Sequence, residues 1–220
     1  MTKNVKLSLL LVGFFAAVVA AIVFITTSGS GPQTTANASN EGAAAPLVRD
    51  DSHHLSTAPD GRVTLVEFMD FECEACRAAY PTVEQLRQDY AGEVTFVARY
   101  FPLPGHVNSE NAAVAVEAAA QQGQFEAMYH KMFETQPQWG DQQTSQADLF
   151  RTFAQDLGLD MATYDQTVAD PATLDRVRQD MADGVALGVQ GTPTFFLNGQ
   201  MISPASLEEF SALIDAALAS

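Results

Sequence analysis

Cysteine is scarce in this 220-residue chain, which has two. Two thiols exclude a disulfide-stapled secreted module, because such modules use several bridges in place of a large core. Basic residues are also few: 11 Lys and Arg stand against 27 Asp and Glu, a formal charge of −16. That balance argues against nucleic acid or anionic lipid as a partner of the folded part and reads as solubility. Four histidines and no second cysteine pair are a poor ligand supply for zinc, so no metal site is expected. No internal repeat stands out. What the chain does have is 47% hydrophobic residues, enough for a sizeable core.

The N-terminus carries the one long apolar run. Lys3 and Lys6 precede Leu7 to Ile25, 19 uncharged residues, and a helix of that length spans about 28 Å, close to a bilayer's hydrocarbon core. No basic residue follows until Arg49, so the charge bias places the N-terminus in the cytoplasm and the rest outside it. The expectation is a single-pass anchor over residues 1–27 in the cell membrane. Its length exceeds a usual secretory h-region, although Ala36-Asn37-Ala38 has the small-x-small form of a cleavage site. Residues 28–60 are rich in Ser, Gly, Thr, Asn, Ala and Pro and read as a flexible linker. His53 and His54 fall in it and read as solvated.

The folded part is expected over residues 61–220. Val63 to Met69 reads as a short buried strand with one embedded acid, Glu67. Arg77 to Tyr90 reads as a helix kinked by Pro81, and Val94 to Tyr100 as a second strand. A helical block follows, about 106–187. Gly123 and Gly158 act as stops, Ser145 caps a helix that runs to Leu157, and Asp160 and Asp170-Pro171 start two more. Its Met and aromatic stripe reads as core. Thr194 to Leu197, the Asn198-Gly199 turn and Gln200 to Ile202 form a hairpin, and Ser203-Pro204 opens a terminal helix through Leu218.

Both cysteines lie in Phe71-Glu72-Cys73-Glu74-Ala75-Cys76, directly after the first strand and opening a helix. That context suits a thiol pair that is oxidised and reduced as its work. The first cysteine sits where unpaired backbone N–H groups and the helix dipole favour its thiolate; the second lies one turn on, within reach. Cys73 is thus the expected nucleophile and Cys76 the more buried resolving thiol. An inert disulfide and a zinc half-site remain the alternatives. Glu67, an acid in an apolar strand, is placed to move a proton to or from Cys76, unless it faces solvent at a sheet edge. Gly191-Thr192-Pro193-Thr194 stands before a buried strand, which suggests a special turn, with a cis peptide bond or an ordinary trans one. A cis Pro193 beside the cysteines would leave the Thr192 backbone free to pair with an extended substrate.

Four stretches together resemble the DsbA-like branch of the thioredoxin superfamily, in its membrane-anchored Gram-positive form. They are VEFMDFECEAC at 66–76, YFPLPGH at 100–106, AAVAVEAAAQQGQFEAMYHKMFETQPQW at 112–139 and GVQGTPTFFLNG at 188–199. The resemblance implies an α/β thioredoxin-like fold split by an inserted helical domain. It implies that Cys73 attacks, Cys76 resolves, Glu67 is the buried acid and Pro193 is cis. The implied activity is protein thiol:disulfide exchange on exported proteins, in the oxidising direction, with the Cys73–Cys76 disulfide in place of any cofactor. A quinone-linked membrane partner, DsbB- or VKOR-like, would reoxidise it. The chain departs from strongly oxidising relatives in the Glu-Ala between its cysteines. Glu72 and Glu74 are expected to raise the Cys73 pKa and make the disulfide less oxidising, while the helix N-terminus pulls the other way. A reductase or isomerase is the alternative, and a non-catalytic metal- or protein-binding module a more distant one.

Overall fold

The computed structural model describes residues 45–220. The expected membrane helix and most of the linker therefore lie outside the described residues. Among the described residues, no helix is long and apolar enough to cross a membrane.

Five strands form one mixed sheet in the order β1-β3-β2-β4-β5. These are β1 (His53–Ser56), β2 (Thr64–Met69), β3 (Thr95–Tyr100), β4 (Thr194–Leu197) and β5 (Gln200–Ile202). β2 and β3 run parallel, in register from Thr64↔Thr95 to Met69↔Tyr100, joined by α1 (Glu74–Asp89). β4 lies antiparallel on the other side of β2, and β5 antiparallel on β4. Asn198 and Gly199 both have positive φ, +46° and +84°, the backbone a tight two-residue hairpin requires.

Five helices fill the path from β3 to β4: α2 (Ser109–Ala120), α3 (Phe125–Trp139), α4 (Ala147–Asp156), α5 (Met161–Ala169) and α6 (Pro171–Ala186). The terminal helix is α7 (Leu207–Leu218). Asp160 and Asp170 cap α5 and α6 by accepting from Thr163 N and Ala172 N. Two cap expectations shift. Ser145 lies one residue before the α4 N-cap, Gln146, and α7 starts at Leu207, where the Ser206 side chain accepts from Glu209 N. Ser203-Pro204 instead belongs to the turn before it. α1 continues through Pro81, and α3 through Pro137.

The linker is shorter than its composition suggests. His53 pairs with Ala98 and His54 with Val97 at the sheet edge, so residues 53–56 belong to the fold. His53 is not solvated in a tether: its Nε2 lies 2.7 Å from Glu117 Oε2, and its ring stacks on Phe125 at 4.0 Å. Composition misleads here because a short edge strand takes its stability from its neighbour's ladder, not from its own apolar content.

The sheet divides the core by strand parity. Leu65 and Met69 of β2 join Cys76, Val83 and Leu86 of α1, Phe210 and Ile214 of α7, and the Met128, Tyr129, Met132 and Phe133 stripe of α3. Val66 and Phe68 face the other way, toward Val97, Phe101, Val189 and Phe196. Trp139 is wholly buried in the helical block, edge-on to Phe150 at 4.8 Å. α6 presses so closely on the second face that a Cβ at Gly184 would lie 2.8 Å from the Phe101 ring.

Candidate active site

The site is assembled where β2 ends. Chain reversal after Met69 is held by Asp70: its carbonyl accepts from Cys73 N at 3.1 Å, and its own N–H points to Cys76 Sγ at 3.5 Å. Cys73 is the N-cap residue of α1, and Cys76 lies in its first turn. Both are free thiols in the structure. Cys73 retains 7% exposure and Cys76 none, so one sulfur is reachable and the other is not.

Their acidities diverge accordingly. The Cys73 thiol is lowered to about 5, first by a hydrogen bond from Cys76, then by the Thr192 side chain and the N–H groups of Cys76 and Ala75, all acting against burial. Burial pushes Cys76 well above the ordinary thiol range, helped by its bond to Cys73 and by the nearby Glu67 carboxyl. Between the raising effect expected of Glu72 and Glu74 and the opposite pull of the helix N-terminus, the lowering side prevails at Cys73. Glu72 is buried and turned away, accepting from Asn108 N at 2.6 Å, and Glu74 projects into solvent. Local donors outweigh two acids because hydrogen bonds act on the sulfur directly, whereas Glu74 is screened by water.

Glu67 faces the core from the middle of a central strand, not solvent at an edge, with β3 on one side and β4 on the other. Parity puts it on the same face of β2 as Leu65 and Met69, the face that α1 covers. It is 4% exposed, and burial, reinforced by Glu84 and Cys73, pushes its carboxyl up to about 8. A carboxyl so placed holds its proton at neutral pH and can give it to a departing Cys76 thiolate.

The loop before β4 completes the site. The Thr192-Pro193 peptide is cis, and Cys73 Sγ donates to Thr192 O at 3.4 Å across 119 residues of chain. The Thr192 hydroxyl is buried without a partner while Cys73 is a thiol. It stands where it stabilises a thiolate.

Sequence reasoning missed two of the residues around this turn, Asp70 and Gln136. Asp70 Oδ2 accepts from Leu103 N at 3.0 Å and from His106 Nδ1 at 2.6 Å, while Oδ1 accepts from Glu72 N at 2.9 Å. Gln136 of α3 donates to the carbonyls of Phe71 (2.7 Å) and Cys73 (2.9 Å) and accepts from Arg77 Nε (3.1 Å). His106 is thus tied to the turn through Asp70. An acid directly ahead of FECEAC was a visible signal for Asp70. No spacing signal links Gln136 to a turn more than 60 residues away. Among the described residues no group of three or more His, Cys, Asp or Glu side chains is arranged to hold a metal ion.

Fold and sequence agree on the class. The thioredoxin family pattern, described as Thioredoxin, matches residues 51–216, and the chain belongs to that family, with the DsbA-like form of its fold. A thioredoxin-like oxidoreductase from Silicibacter pomeroyi is 27% identical and superposes at a TM-score of 0.66, covering 81% of this chain and 99% of that one. BdbD from Bacillus subtilis, in its oxidised form, is 24% identical at a TM-score of 0.67, covering 77% and 94%. Wolbachia pipientis alpha-DsbA1 is 19% identical at 0.70, covering 79% and 94%. Among curated proteins, the Na(+)/H(+) antiporter NhaA 3 of Salinispora tropica is 37% identical over 175 residues, which are 79% of this chain and 26% of that protein. The chain thus spans about a quarter of the length of the curated relatives it matches.

Proposed function

We propose that this chain is a membrane-tethered, extracytoplasmic thiol:disulfide oxidoreductase that introduces disulfides into exported proteins through Cys73 and Cys76. The observation that carries the reading is the split pair: a reachable sulfur held at about 5 over a buried one pushed far up. Stabilising the Cys73 thiolate stabilises the reduced enzyme, which makes its disulfide the stronger oxidant.

The reaction balances as an exchange. A substrate thiolate attacks Cys73 Sγ of the disulfide; the Cys73–Cys76 bond breaks, and Cys76 leaves with the electron pair and takes the proton of Glu67. A second substrate thiolate then attacks the substrate sulfur of the mixed disulfide and expels Cys73 as thiolate. Two substrate thiols have lost two electrons, and the enzyme has gained them. During the mixed disulfide, the Thr192 backbone is the edge against which an extended substrate would lie, next to Pro193. Reoxidation falls to a quinone-linked membrane partner, DsbB- or VKOR-like, as the family resemblance implies. The anchor over residues 1–27 would keep the domain beside it.

A redox titration of the full chain against glutathione tests the direction. An oxidase should lie well above the roughly −270 mV of thioredoxin; a value near that would sink the oxidase reading in favour of a reductase. Cys73→Ala should abolish exchange, and Cys76→Ala should trap mixed disulfides with exported proteins. No trapped species, with Cys73 intact, would overturn the enzyme itself.

A further inference from the structure

The dipeptide between the cysteines supplies no cation, yet a histidine stands at the same turn. Asp70 touches both halves of the pair with its backbone, bonding Cys73 N and Cys76 Sγ, and holds His106 with its side chain at 2.6 Å. Three donors converge on the buried Asp70 carboxyl, so the imidazole on it is fixed in place, while 27% of the His106 side chain stays open to solvent. The loop that carries it is pinned at both ends, by Leu103 N on Asp70 and by Asn108 N on Glu72.

We propose that His106, oriented by Asp70, is the positioning residue whose imidazolium charge at the active-site turn favours the Cys73 thiolate, replacing a cation within the CxxC and setting the redox potential. The inference rests on the thiol-exchange reading above. The charged groups around His106 are Asp70, which its ring bonds, Glu72 and Cys73, whose charges act on it, and Glu110 of α2, which lines the same pocket and is paired with Arg178 of α6. Cys76 is tied to the same turn through Asp70 N, and Glu67 acts on Cys76. Burial opposes the protonation of His106, but the bond to Asp70 and the charges of Asp70, Glu72 and Cys73 outweigh it and raise its pKa. Interaction between two titrating groups is reciprocal: whatever the Cys73 thiolate does for the imidazolium, the imidazolium does for the thiolate.

The test uses the full reduced chain. Thiolate absorbance against pH should give a Cys73 midpoint that rises by roughly half a unit to one unit in His106→Gln, with a potential correspondingly less oxidising, about 3- to 10-fold in the glutathione equilibrium. His106→Lys should restore most of both. An unchanged midpoint in a folded His106→Gln overturns the inference. Should that variant fail to fold, the ring titration of His106 in the wild-type chain decides: its pKa should be higher in the dithiol than in the disulfide form. Equal values overturn the inference as well. The two readings fail separately, since a wild type that never equilibrates with glutathione removes the enzyme but leaves any His106–Cys73 coupling measurable.

Discussion

Two buried acids on opposite sides of the sheet make an instructive pair. Asp180 of α6 is fully buried and fully answered: Arg99 Nε donates to it at 2.8 Å, Tyr100 N at 3.1 Å, and Arg176 lies 2.7 Å away. Arg99 itself spends its remaining donors on Asp183 (2.7 Å) and on the carbonyls of Pro46 and Leu47 (3.1 and 2.7 Å). Four of its five guanidinium N–H groups are thereby used, and the cluster straps residues 46–47 and α6 to β3. Glu67 is also enclosed, yet among the described residues no cation answers it, and its pKa rises to about 8. A satisfied buried charge fixes structure; an unanswered one keeps its proton and is available for chemistry.

That contrast can be broken most forcefully at Arg99. Arg99→Met leaves Asp180 and Asp183 facing an apolar side chain and should cost about 3–5 kcal/mol of unfolding free energy, read by denaturant titration. A loss near zero would mean that the cluster is wetter than its burial suggests.

The opposite substitution sharpens the comparison. Glu67→Gln should slow exchange by roughly 10- to 100-fold at neutral pH, short of the loss at Cys73, because it removes the proton donor to Cys76. Its stability signature has a definite sign. A carboxyl raised from 4.5 to about 8 favours the folded state fully below pH 4.5, and that contribution is lost as pH rises through 8. Cys73, lowered from 9.0 to about 5, acts in reverse: its contribution is present above pH 9 and lost as pH falls through 5. The two slopes oppose each other between pH 5 and 8 in the reduced protein. Glu67→Gln should uncover the Cys73 slope, so that the reduced variant gains on wild type steadily from pH 5 to 8. A parallel pair of curves would remove the pKa assignment.

Smaller effects probe how tightly the two sides are pressed together. Gly184→Ala puts a methyl within 3.0 Å of both Phe101 and Phe68 and should cost about 1–3 kcal/mol by overpacking, measured by thermal melting. It should leave the Cys73 titration unchanged, since the displaced rings face away from Glu67. Ser206→Ala removes the α7 cap and should cost about 1 kcal/mol, with no effect on exchange.

Much of this molecule was legible beforehand because its signals are local. Asn198-Gly199 fixes a hairpin by φ alone, Asp160 and Asp170 cap the helices that follow them, and a CxxC after an apolar strand opens a helix. The edge strand at 53–56 was illegible because its stability resides in β3. Gln136 was illegible for the same kind of reason: its amide matters only because α3 packs over the active-site turn.

Spacing and the period of each element were enough to mark the two sulfurs, the acid in the strand before them and the proline turn ahead of β4. Only the tertiary structure decided what those groups are worth. The Cys73 thiol is lowered although two glutamates flank it, because charge follows distance and burial, not adjacency in the chain. Folding turned Glu72 onto Asn108, left Glu74 in water and brought Thr192 and His106 to the turn in their place.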